Sequence, residues 1–193
     1  MRFGGREYRW NDPPMLVAEL GIAHGGDCGR AIEMVATLDL QGCEAVKLQL
    51  HRPDEMADRQ GVPDAVRRGI SEAHLTPAEQ ARVVSCARER NMAVIATPFS
   101  VEAVADAVEL GVDAIKVGSG ELACRPILEA VGRAGRPVMV STGMARPGEI
   151  AAAVELLRGY EVPLVVMHCV SLYPTPYYAI GLEAIGRIRA SFG

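Results

Sequence analysis

Six short apolar runs recur along the chain, at residues 15–20, 45–50, 93–96, 114–117, 137–140 and 164–167, with a helical pattern after each of them. Runs of this length bounded by turn residues read as strands buried on both faces. The helical segments carry their own punctuation. Asp27 precedes a face made of Ala31, Met34, Val35 and Leu38, with Gly42 at its far end, and Thr76-Pro77-Ala78-Glu79 spells a capping box. Ser100 precedes Val104, Ala107 and Val108, with Gly111 as the stop; Pro126 and Pro147 mark two further starts, Gly135 and Gly159 two further ends. A last helix is expected from about residue 181 to 192. Strict alternation of this kind requires parallel strands joined by right-handed crossovers, because antiparallel neighbours need no helix between them.

Parallel strands leave a choice between an open sheet and a barrel. Polar residues end nearly every run, and neither GxGxxG nor GKS/GKT occurs. The pattern therefore predicts an α/β chain of the TIM-type (β/α)8 barrel class, with about six of the eight strand–helix units. Two segments fall outside the repeat. Residues 3–10, with Gly4-Gly5 inside, predict a hairpin within 1–12 that plugs the barrel, and residues 51–75 predict a long polar connection that acts as a lid.

Composition narrows the partners. With 20 basic and 24 acidic residues the net charge is −4, and no block of like charge suits a row of phosphates, so no nucleic acid is expected. The five cysteines lack a CxxC spacing and read as reduced thiols, and no apolar stretch reaches membrane-spanning length, so a soluble, cytoplasmic protein without a membrane partner is expected. At 193 residues with 49% apolar content, one domain is the default.

The strand ends carry the chemistry. Two of them are near-repeats, Gly42-Cys43-Glu44-Ala45-Val46-Lys47 and Gly111-Val112-Asp113-Ala114-Ile115-Lys116. Cations at the carboxyl ends of buried strands point to an anionic substrate, set against the plainer account in which each ammonium pairs with Glu19 or Glu121. The other ends supply Gln49, Thr97 with Ser100, Gly118-Ser119-Gly120, Ser141-Thr142-Gly143 and Ser171. Thr142 is expected to cap the next helix, leaving Ser141 to donate to a phosphate oxygen. His24 is a loop candidate for substrate contact, whereas His168, alone beside an apolar run, is expected to be a satisfied core group and not a metal ligand. No cysteine has a histidine base nearby in sequence, which argues against a thiol nucleophile. Glu19 and Glu121 are available for proton transfer or sugar hydroxyls.

Six segments in order, Ala18-Glu19-Leu20-Gly21-Ile22-Ala23-His24, Val46-Lys47-Leu48-Gln49, Ala96-Thr97-Pro98-Phe99, Lys116-Val117-Gly118-Ser119-Gly120-Glu121, Ser141-Thr142-Gly143-Met144 and His168-Cys169-Val170-Ser171-Leu172-Tyr173-Pro174, closely resemble the sialic acid synthase family, which includes legionaminic and pseudaminic acid synthases. The resemblance implies condensation of phosphoenolpyruvate with the aldehyde of an N-acetylated amino sugar, giving a nine-carbon 2-keto acid and phosphate. It implies that Lys47, Thr97, Lys116, Ser119, Ser141 and Ser171 hold phosphoenolpyruvate, that Glu19, Gln49 and Tyr173 face the sugar or the reacting centre, and that Glu19 handles protons. A divalent metal, Mn or Mg, is implied too, with ligands outside this chain. The family pattern has asparagine where Ala23 stands. The chain also stops at Gly193, before the last two barrel strands, both metal-binding histidines and the antifreeze-like domain of that family, so a homo-oligomer or a complementing carboxy-terminal segment is expected. Two other readings stay open: a non-catalytic partial barrel that binds an anion or assembles with a homologue, and, lowest, a Schiff-base aldolase using Lys47 or Lys116.

Overall fold

The computed structural model describes residues 2–9, 11–38, 42–57 and 62–193. They fall into two units, residues 1–114 and 115–193.

The first unit opens with β1 (Arg2–Phe3) and β2 (Arg6–Glu7), antiparallel across Gly4 and Gly5, whose φ values of 56° and 75° suit a tight hairpin turn. A Cβ on Gly4 would fall 2.6 Å from Ala93 Cβ, and Arg6 pairs with Glu44. The hairpin thus lies at the amino ends of the strands, opposite the polar residues above. Then come β3 (Val17–Gly21), α1 (Cys28–Leu38), β4 (Ala45–Leu50), α2 (Pro53–Ala57), α3 (Asp64–Glu72), α4 (Pro77–Glu89), β5 (Ala93–Pro98) and α5 (Val101–Glu109). β3, β4 and β5 pair in parallel, with Glu19 opposite Lys47 and Gln49 opposite Thr97. All six residues of β4 stand in register with β5, and its first four also pair with β3.

The acidic residue in each near-repeat has a structural task. Glu44 accepts the Leu16 amide at 3.3 Å and Asp113 accepts the Val94 amide at 2.8 Å, so each ties down the start of the preceding strand. The helices begin where the caps require. Asp27 Oδ1 accepts the Arg30 amide at 3.0 Å, and Ser100 Oγ accepts the Ala103 amide at 3.0 Å. α1 and α4 pack together through Ala31, Val35, Val83 and Ala87, none more than 1% exposed; each buried valine contributes roughly 1.5–3 kcal/mol.

At α4 the capping box is complete: the Thr76 amide and hydroxyl donate to Glu79 Oε2 at 2.8 and 2.7 Å, and Thr76 Oγ1 accepts the Glu79 amide. These bonds hold the Glu79 carboxyl below its ordinary value of 4.5. Thr76→Ala is expected to cost about 1 kcal/mol. The carboxylate part of that contribution is present above pH 4.5 and is lost as pH falls through the lower folded value, so thermal melts of wild type and variant should converge in acid.

The connection at 51–75 differs from an irregular lid. It carries α2 and α3, since acidic residues at Asp54, Glu55 and Asp64 favour helix starts and Ile70 buries against the unit; residues 58–61 of the expected lid, Trp10 of the expected plug and residues 39–41 before Gly42 lie outside the described residues.

The second unit holds β6 (Ala114–Val117), α6 (Arg125–Arg133), β7 (Val138–Ser141), α7 (Pro147–Arg158), β8 (Leu164–Met167), a 3₁₀ turn (Tyr177–Ala179) and α8 (Glu183–Phe192). β6, β7 and β8 pair in parallel. Six strand–helix units of a TIM-type α/β fold are therefore present. β7 is buried throughout, as expected, but every residue of β8 is only half-buried, because among the described residues β8 pairs with β7 on one edge and with no strand on the other.

Candidate active site

In the first unit a bulge between Glu19 and Gly21 turns the end of β3, with Gly21 at a φ of 52°. Gly21 donates its amide to Glu19 Oε1 at 3.0 Å, and Lys47 Nζ donates to Glu19 Oε2. The plainer account therefore holds for Lys47: it is ion-paired, with its side chain 13% exposed against 45% for Glu19. Such a pair fixes the carboxylate in one place, where it can meet a proton that a reacting group gives or takes. Gln49 follows Lys47 on the same face of β4, since strand side chains alternate. Its neighbour in register, Thr97, is 3% exposed, and Oγ1 has no hydrogen-bond partner among the described residues. A buried hydroxyl left so costs about 1–3 kcal/mol, which a ligand oxygen would offset.

His24 does not sit in a solvated loop. It is 6% exposed, and its Nδ1 accepts the Gly26 amide at 3.2 Å, because Gly25 and Gly26, at φ 61° and 80°, fold the loop back over the ring. Burial lowers its pKa, so the neutral imidazole is favoured. With Gly21, Gln49, His51 and His74 it borders a cavity of about 20 Å³, room for one water and not for a sugar. The expected substrate contact from His24 is thus replaced by a role in shaping the loop.

In the second unit the other lysine has a different setting. Lys116 is half-buried and makes no ion pair within 4 Å among the described residues. Burial pushes its pKa below 10.5, opposed by the Cys169 thiol and the Glu121 carboxylate within electrostatic reach. Glu121, 9% exposed, closes the turn after β6, where its amide donates to Gly118 carbonyl at 3.2 Å. Ser119 Oγ accepts the Gly143 amide at 3.1 Å, and Ser141, 2% exposed, lies 3.5 Å from Cys169 Sγ. Thr142 does not cap α7. Its hydroxyl donates to the Met167 carbonyl at 2.8 Å and ties β7 to β8, while α7 is capped by Glu149 Oε2 accepting the Arg146 amide at 2.7 Å. The hydroxyl of Ser171, an exposed residue, reaches Gly143: a Cβ there would meet Ser171 Oγ at 2.6 Å and the Cys169 carbonyl at 2.8 Å. His168 is the expected satisfied group, donating from Nε2 to the Ile180 carbonyl at 2.6 Å. Tyr173 is 93% exposed, so the structure does not turn it toward the other residues of this cluster.

Among the described residues, the second unit thus gathers at its strand ends a lysine without an ion pair and several hydroxyls, and the first a bonded carboxylate–ammonium pair beside an amide. Gly143 and Cys169 were legible in the sequence only as members of strand-end segments, without a role of their own, and His51 beside Gln49 was not singled out. Among the described residues no three His, Cys, Asp or Glu side chains are arranged to hold a metal ion, and no helix is long and apolar enough to cross a membrane.

The NeuB family model matches residues 34–193. Over 193 residues the chain is 30% identical to an uncharacterized protein of Methanocaldococcus jannaschii, covering 100% of this chain and 56% of that protein. It is 24% identical to the N,N'-diacetyllegionaminic acid synthase of Campylobacter jejuni over 192 residues, covering 92% of this chain and 58% of the relative. In three dimensions it is similar to the N-acetylneuraminic acid (sialic acid) synthetase of Leptospira borgpetersenii, with a TM-score of 0.88 at 28% identity, over 94% of this chain and 63% of that one. The chain spans just over half the length of the curated relatives it matches.

Proposed function

Because the chain belongs to the NeuB family, we propose that it serves a synthase that joins phosphoenolpyruvate to the aldehyde of an N-acetylated amino sugar. Carbon 3 of phosphoenolpyruvate bonds to the aldehyde carbon, water adds at carbon 2, and phosphate leaves, giving a nine-carbon 2-keto acid. The observation that carries the reading is Lys116, a half-buried cation without an ion pair among the described residues, in a unit whose strand ends also present Ser119 and Ser141. A trianionic ligand is the kind of molecule such a cluster holds, and oriented donors also stabilise charge that shifts as the bond forms.

In this reading Lys116, Ser119, Ser141 and Ser171 of the second unit take anionic oxygens of the ligand; in the first unit, Lys47 and the Thr97 hydroxyl, without a hydrogen-bond partner among the described residues, are the donors available to an anion. Glu19 takes or gives the proton, its carboxylate fixed by Gly21 and Lys47; Gln49 and Glu121 serve the sugar. The described residues form no cage for the divalent ion the family resemblance implies, so no step is assigned to it. A second copy or a carboxy-terminal segment is the proposed partner.

The test is phosphate release from phosphoenolpyruvate with N-acetylmannosamine and Mn²⁺, on this chain and on this chain with any co-encoded carboxy-terminal segment. Release that needs both substrates supports the reading; absence of phosphoenolpyruvate binding by calorimetry in both preparations overturns it. The lowered pKa of Lys116 also suits a Schiff-base amine. Borohydride reduction with pyruvate decides that point: a covalent adduct on Lys116 would establish the aldolase, and an unmodified mass would remove it.

A further inference from the structure

Ser141 ends β7 almost fully buried, and the Cys169 thiol donates to its Oγ at 3.5 Å. Sulfur is a weak acceptor, so the thiol proton is the one shared and the serine oxygen receives it. Among the described residues no other group bonds the Ser141 hydroxyl. Its own proton is therefore uncommitted. Ser119 is in the same condition, because its Oγ accepts the Gly143 amide at 3.1 Å. Register places the thiol on the face that carries the cation. Lys116 stands opposite Met139 and Ser141 opposite Met167, so Lys116, Ser141 and Cys169 step along one face of the sheet, each two residues beyond the partner of the one before. The Thr142 hydroxyl, bonded to the Met167 carbonyl at 2.8 Å, ties the ends of β7 and β8 together and keeps Cys169 level with Ser141.

Building on the synthase reading, which puts an anion at these strand ends, we infer that Cys169 is a positioning residue that engages the oxygen of Ser141 and so turns its proton toward an anionic oxygen of the ligand. The strand order is β6-β7-β8, and Cys169 follows β8. A donor on that side of the hydroxyl leaves the serine proton the positions that face β6, where Lys116 and Ser119 stand. Accepting a bond also polarises the O–H and makes it a better donor. Without the thiol the hydroxyl turns freely, and binding an anion must first order it.

The experiment is a double-mutant cycle read in phosphoenolpyruvate binding by calorimetry, with wild type, Cys169→Ala, Ser141→Ala and the double variant. Cys169→Ala alone is expected to weaken binding about fivefold, within the worth of one hydrogen bond. In the Ser141→Ala background the same change should shift affinity by less than about twofold, since the group it positions is gone. A cysteine that only packs would cost the same in both backgrounds. Infrared spectra of the ligand-free protein give a second readout. The S–H stretch of Cys169, assigned by its loss in Cys169→Ala, should lie below that of a free thiol in wild type and move up in Ser141→Ala. Equal weakening in both backgrounds, no weakening in either, or an S–H band that stays where it is in Ser141→Ala would overturn the inference. A wild type that does not bind phosphoenolpyruvate would sink the synthase reading instead; the cycle would then be read with inorganic phosphate, where a wild type that binds none would end the inference too.

Discussion

Lys116→Met is expected to lower turnover by about 10²–10³, the range seen when one oriented donor to a developing charge is removed, and to do so without lowering thermal stability. The asymmetry follows from the setting of the ammonium. Burial opposes its charge, and no carboxylate lies within ion-pair distance among the described residues to compensate. A lysine whose folded pKa lies below the ordinary 10.5 binds fewer protons in the native than in the unfolded state between the two values. Stability therefore rises with pH through that window, while affinity for an anion falls as the same group loses its charge. Wild type should show the two trends crossing, phosphoenolpyruvate binding weakening by calorimetry as the melting temperature gains; Lys116→Met should show neither. Equal affinity of the two proteins at neutral pH would remove Lys116 from the anion site.

The contrast with Lys47 marks what the sequence could and could not convey. The two lysines end near-identical segments, and both were legible as cations at buried strand ends. Their difference comes from the neighbouring chain: β3 brings Glu19 into register with Lys47, and the bulge at Gly21 turns the carboxylate onto it. Register is a property of pairing, and no local pattern encodes it. The same distinction runs through the molecule. Apolar runs, the Asp27, Thr76 and Ser100 caps, and the proline and glycine boundaries are local, and strands and helices appear where they were expected. Thr142 looked like a cap because a hydroxyl stands before a helix, but α7 starts five residues on at Pro147 and the hydroxyl finds Met167 across the sheet. His24 read as a loop contact for substrate; the glycines of that loop in fact fold the chain over the ring. His51 carried a readable signal, since i and i+2 at a strand end share a face with Gln49, but its stacking on Phe99 depends on where β5 ends.

Gly143→Ala is expected to weaken phosphoenolpyruvate binding about tenfold and to cost about 1–3 kcal/mol of stability, as overpacking does. Gly143 does not take a positive φ, so backbone strain is not the reason. Space is. The added methyl would lie 2.6 Å from Ser171 Oγ, 2.8 Å from the Cys169 carbonyl oxygen and 3.1 Å from its carbon. A serine rotates away at little cost, but a backbone carbonyl does not. The turn after β7 must then shift. The Gly143 amide pulls away from Ser119 Oγ, and the strain reaches the adjoining Thr142 bond to Met167. The double variant Gly143→Ala/Ser171→Ala separates the two contacts. If the carbonyl is decisive, removing the Ser171 hydroxyl recovers less than half of the lost stability in thermal melts, and binding stays weak. Full recovery in the double variant would show that only the serine was in the way. A Gly143→Ala protein that melts and binds as wild type does would mean the close approach of Gly143 and Cys169 plays no part in holding the serines in place.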